Sequence, residues 1–154
     1  MRSTALPFLP AAVCRYLAEY PSVRNGLGRT EQLALEAIAG GAGTGAEVFV
    51  AVQKRERRPY LGDTMLYAVL RGLASGRFPA IAGAHRKLSR LDPDLFANQP
   101  LRLTDTGKGL LANQLDWFAV SGVIRQIGGV TMRGAGPRWR WDTRRRIIVE
   151  QRWR

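Results

Sequence analysis

"LGDTMLYAVLRGLASG", residues 61–76, decides the fold. Leu66, Val69, Leu70 and Leu73 recur at the three- and four-residue spacing of a helix with one apolar stripe. Asp63 caps such a helix and Gly76 ends it. Just upstream, "GTGAEVFVAVQKRERR" predicts a helix capped at Thr44, with Val48 and Val52 one turn apart. A helix near 44–55, another at 63–75 and then a wing strand is a helix-turn-helix order.

Toward the N terminus, "RTEQLALEAIAGG" predicts a helix with Leu33, Ala34, Ala37 and Ile38 inward and a glycine stop. "PSVRNGLG" before it is a loop by its Pro, Asn-Gly and Gly content. "LPAAVCRYLAEY" places Leu9, Val13, Tyr16, Leu17 and Tyr20 on one helical face. Toward the C terminus, "LRLT" is a short strand with Leu101 and Leu103 on one side and Arg102 on the other. Thr104 then caps a helix running through "DTGKGLLANQLDWF". "GVIRQIGGVTMRG" reads as two strands broken at Gly128-Gly129. "PRWRWDTRRRIIV" reads as a hairpin turning near Asp142-Thr143. The expected fold is α+β and mostly helical: one winged-helix-like domain over residues 1–154 with a short C-terminal β-hairpin. Its helical part covers about 8–76, and its strand, helix and basic hairpin about 101–150.

A chain of 154 residues buries roughly 70% of its unfolded surface on folding and needs no staples. The early Arg2 and the apolar stretch after it invite a signal-peptide reading. Pro7, Pro10, Arg15 and Glu19 argue instead for a first helix. The single cysteine, Cys14, forms no internal disulfide, which fits a cytoplasmic protein. Net charge is +12, a balance that points to nucleic acid or another acidic partner.

Several stretches together carry a resemblance. "LAEYPSVRNGLGRTE", "YLGDTMLYAVLRGLA", "LRLTDTGKGLLANQLDW", "IGGV" and "WRWD" run in one order over most of the chain. In that order the chain resembles the C-terminal half of an uncharacterised bacterial family, domain of unknown function 1835. The resemblance implies one folded unit and no particular reaction; longer members carry an additional N-terminal domain.

Enzymatic chemistry is weakly represented. One histidine, His85, sits in a basic loop; pairing it with Ser89 has no support from spacing, and no zinc ligand set of usual composition is present. "GGAGTG" at 40–45 lacks the strand and the Lys-Ser/Thr pair of a phosphate loop, and reads as a link between helices. Cys14 reads as a small buried hydrophobe. Asp92 and Asp94 flank Pro93 as turn formers, and Asp105 marks a helix start. Asp116 reads as a hydrogen-bond partner of nearby backbone. No catalytic residue, cofactor or metal is expected.

The basic residues are the candidate site. Of the helix at 63–75, Thr64, Tyr67 and Arg71 are left for contacts, and only Arg71 can fork onto guanine. Lys54, Arg55, Arg57 and Arg58 precede that helix, and Arg86, Lys87 and Arg90 follow it. In the last hairpin, strict alternation puts Arg138 and Arg140 on one face, with Arg144, Arg145 and Arg146 near the turn. Trp139 and Trp141 face the core beside Ile147 and Val149, and Trp153 at the end is free to touch a partner. The reading is a non-enzymatic, phosphate-contacting, weakly sequence-specific module for DNA or RNA. The alternatives are a module docking an acidic protein or a missing N-terminal domain, and a fragment of a larger enzyme.

Overall fold

The computed structural model describes residues 5–57, 59–83, 97–122, 124–132 and 139–151. Four helices come first: α1 (Leu9–Leu17), α2 (Arg29–Ala39), α3 (Gly45–Arg55) and α4 (Asp63–Leu73). After them come β1 (Ile81–Ala82), β2 (Arg102–Leu103), α5 (Asp105–Leu111) and α6 (Trp117–Ser121). Two hairpins complete the described chain, β3 (Arg125–Ile127) with β4 (Val130–Met132), and β5 (Trp139–Asp142) with β6 (Ile147–Glu150). The α+β, mostly helical class is therefore as the sequence indicates.

Apolar periodicity locates the main core. Leu33, Ala34, Ala37 and Ile38 of α2 meet Val48 and Val52 of α3 and Leu66, Leu70 and Leu73 of α4, all buried. Thr44 caps α3 by accepting the Glu47 amide at 3.3 Å, and the Glu47 carboxylate takes the Gly43 amide at 2.7 Å. Thr44 also bridges Pro100 antiparallel, and Gly43 O accepts the Leu101 amide at 2.7 Å. That contact ties the start of α3 to β2, which pairs antiparallel with β1 through Ile81–Leu103 and Ala82–Arg102.

A second cluster holds the C-terminal hairpins: Tyr20, Phe118, Ile127, Met132 and Trp141. Neighbouring Trp117 belongs to the first cluster, so the short α6 fastens the two together. Gly128 and Gly129 form the β3–β4 turn, with φ of 57° and 78°. Both values suit glycine, and such a two-residue turn matches the twist of a hairpin.

Four details differ from the expectation. The helix expected over 105–118 is two helices: Asn113 takes a left-handed φ of 58°, α5 stops, and Asp116 caps α6 afresh. On α4 the cap position belongs to Gly62; Asp63 is the first helical residue and accepts the Thr64 amide at 2.6 Å. Tyr67 is buried with the α4 stripe, so it is unavailable as an outward contact. The α1 stripe faces outward at Leu9, Val13 and Tyr16, and Tyr20, beyond the helix end, enters the core.

Candidate nucleic-acid interface

The expected arginine face of the last hairpin is not one surface. Arg140 is fully buried, the opposite of the exposed position expected for it. Its Nη1 donates to Asp116 Oδ2 at 2.6 Å and to Ser22 O at 3.1 Å. Alternation does separate Arg140 from Trp141, but the arginine side is covered too. The covering element is the loop at 21–28, whose Pro21 O accepts the Trp141 amide at 2.8 Å, while Trp141 O accepts the Val23 amide at 3.0 Å. Gly26, at φ +72°, leaves room for the ion pair: a Cβ there would lie 2.8 Å from Asp116 Oδ1 and 3.1 Å from Arg140 Nη1. Arg140 is thus a latch between hairpin and helical body, and no phosphate contact.

The other side of the hairpin also shifts. Trp141 opposes Ile148, and Arg140 opposes Val149. Ile148, not Ile147 or Val149, therefore joins the tryptophan side, because four residues, 143–146, separate the strands. Trp141 is core, whereas Trp139 remains 40% exposed at the open end. Asp142 builds the turn: its Oδ1 accepts the amides of Arg144 and Arg145 at 2.9 and 3.0 Å, and its carbonyl takes the Arg146 amide at 2.7 Å. Arg146 has a left-handed φ of 56°. On the arginines these bonds engage only the backbone amides, so Arg144, Arg145 and Arg146 present exposed side chains on one tight turn.

The second expected cluster is partly kept. Lys54 and Arg57 are exposed at and just beyond the end of α3. Arg55 is exposed but engaged, its Nη2 2.6 Å from Glu36 Oε2. Arg71 is half-buried on α4. Arg58, Arg138, His85, Ser89, Arg86, Lys87, Arg90, Asp92, Asp94 and Trp153 lie outside the described residues.

Two arginines that the sequence does not single out prove structural. Arg15 bonds Glu56 Oε1 at 2.7 Å, Glu19 Oε1 at 2.6 Å and Thr30 Oγ1 at 3.1 Å, and lies over the Tyr60 ring at 5.1 Å. Burial works against its charge, yet the bonds to Glu56 and Glu19 outweigh that and hold its pKa above the ordinary arginine value. Burial, with Glu19 nearby, raises the Tyr60 hydroxyl as well. Only the i,i+4 spacing of Arg15 and Glu19 is a sequence signal for this network. Arg125 pairs with Glu31 and stacks 5.4 Å from the Phe118 ring centre. Asp116 caps α6 by accepting the Phe118 and Ala119 amides at 3.0 and 3.3 Å, the local backbone role expected of it, and adds the Arg140 ion pair.

Among the described residues no group of three His, Cys, Asp or Glu side chains could hold a metal ion. Among the same residues no helix is long and apolar enough to cross a membrane. Set beside known protein families, curated proteins and solved structures, the chain matches none.

Proposed function

We propose that this protein binds nucleic acid through phosphate contacts, as a winged-helix-like, non-enzymatic module. The reading rests on one observation: where the positive charge is left. Among the described residues, six carboxylates sit in ion pairs with five cationic side chains. Those paired groups carry a net charge of −1, so the remainder of the chain carries +13. Lys54, Arg57, Arg144, Arg145 and Arg146 are exposed members of that remainder. A surplus of this kind attracts a polyanion without needing to read bases.

The order of elements supports the winged-helix part. α2, the Thr44–Pro100 bridge, α3, α4 and then the β1–β2 pair follow one another as in helix-turn-helix domains with a wing. Weak sequence specificity fits better than tight reading, because Tyr67 is withdrawn from the surface and only Arg71 on α4 can fork onto a base edge. A second reading, docking of another protein, is favoured by the exposed apolar side chains Leu9, Val13 and Tyr16 on α1.

The test is binding of a labelled duplex by fluorescence anisotropy at several salt concentrations. Lys54→Ala/Arg57→Ala and Arg144→Ala/Arg145→Ala are each expected to weaken binding and flatten the salt dependence. The slope of log K against log salt should become shallower by about 0.9 for each phosphate that the variant no longer neutralises. Unchanged slopes in both variants would remove these side chains from the interface.

A further inference from the structure

We infer that the outward face of α4 recognises thymine 5-methyl groups in the major groove of double-stranded DNA. The inference rests on the nucleic-acid reading above and names the ligand and the feature read.

α4 buries Leu66, Tyr67, Leu70 and Leu73 against α2 and α3. That leaves Thr64, Met65 and Ala68 exposed on the far side, Met65 by 54%. The three are contiguous on a helix surface, since 64 and 68 are one turn apart and 65 lies beside them. Met65, unbranched and apolar, thus keeps more than half its surface in water. Cationic side chains flank the segment along the chain and outnumber the one exposed carboxylate at its start, Asp63: Lys54 and Arg57 precede it, Arg71 lies further along α4, and Arg77 is exposed just past its end. That pattern, apolar groups amid positive charge, is complementary to a groove floor lined by phosphate ridges.

The chemistry of the groove narrows the choice. Outward on α4 there is no Asn, Gln or Lys to exchange forked hydrogen bonds with a base edge. Thr, Ala and Met offer methyl and thioether groups, and the apolar feature of the major groove is the thymine methyl. Thr64 and Ala68 are about 6 Å apart along the helix, against about 3.4 Å per base step, so they span nearly two base steps, with Met65 between them. Arg71, farther along, is placed to reach a guanine edge or a phosphate. The major groove of B-form DNA admits a helix; that of A-form RNA is too deep and narrow, and uracil lacks the methyl.

The experiment uses the full chain and three duplexes of one T-rich sequence: DNA, the same DNA with every thymine replaced by deoxyuridine, and RNA. The expected order is DNA first, with affinity falling about threefold to fourfold for each contacted methyl removed. Met65→Ala should shrink the difference between the thymine and deoxyuridine duplexes. Lys54→Ala should weaken both equally. Equal affinity of the unchanged protein for the two DNAs overturns thymine recognition and leaves phosphate binding standing. No binding to any duplex overturns both. Circular dichroism of Met65→Ala, an exposed position, checks that the fold is kept.

Discussion

Asp116→Ala is expected to lower the unfolding free energy by about 3–5 kcal/mol, because it strands the fully buried Arg140 charge. Asp116 does two jobs with its two oxygens. Oδ2 holds Arg140, and Oδ1 caps α6, a contribution of about 1 kcal/mol on its own. Among the described residues the Ser22 carbonyl would then be the one hydrogen-bond partner left to Arg140, with no carboxylate to balance its charge: its Nε and Nη2 make no hydrogen bond with any described residue. Asp116→Asn can keep the cap while giving up the charge, so it should recover only the smaller part. Pairing Arg140→Met with Asp116→Asn should recover more, since a buried ion pair replaced by apolar volume is often close to neutral. Urea denaturation of the four proteins resolves these differences. A destabilisation below about 1 kcal/mol in Asp116→Ala would mean that the latch is unimportant.

Gly107→Ala is expected to destabilise the protein although it sits inside α5. Exchanging a helical glycine for alanine ordinarily stabilises by about 1 kcal/mol. Here a Cβ would stand 2.2 Å from the Ala80 carbonyl oxygen and 3.1 Å from Leu103 Cδ2. The oxygen is not free to yield, because it accepts the Thr104 amide at 3.1 Å. Thr104 in turn donates to Pro79 O at 2.6 Å and caps α5 through the Gly107 amide. The overlap should outweigh the propensity advantage and cost about 1–3 kcal/mol net, seen as a lower Tm. Gly109→Ala is the comparison: its Cβ would press only on the Leu115 side chain, at 2.8 Å, which can turn aside. A Gly107→Ala protein more stable than the parent would contradict the packing of α5 on the β1 approach.

The helical half is legible because its signals are redundant. In α2, α3 and α4 the periodicity, the Thr44 cap and the glycine breaks all point the same way. The differences elsewhere have one physical root: a sequence pattern says which residues share a face, but not what covers it. For α1 the spacing marks the stripe without its direction, and Leu9, Val13 and Tyr16 face out. For β5 the alternation of Arg140 and Trp141 holds, but the loop at 21–28 buries the arginine side as well. By composition that loop is a plain connection, yet its Asn25 side chain donates to Gln32 Oε1 and Leu110 O at 2.9 and 3.0 Å in the interior. Contacts of this range, 85 residues apart in the second case, leave no local trace in composition. On α4 the stripe of Leu66, Val69, Leu70 and Leu73 is legible, but the buried face is turned toward Tyr67, three residues before Leu70, and leaves Val69 half-buried. Arginines paired with carboxylates far away in sequence, Arg125 with Glu31 and Arg140 with Asp116, cannot be told from free ones by counting charges.

What the sequence does convey about the candidate site is its sign and part of its location. Arg144, Arg145 and Arg146 are on an exposed turn, and Lys54 and Arg57 are exposed beside the approach to α4. Whether these charges hold a polyanion is read from the salt dependence of duplex binding by the unchanged protein. Phosphate binding gives a straight, steep fall of log K with log salt, with a slope near −0.9 for every phosphate neutralised. Absence of binding near physiological salt, or an affinity that salt leaves unchanged, would contradict it.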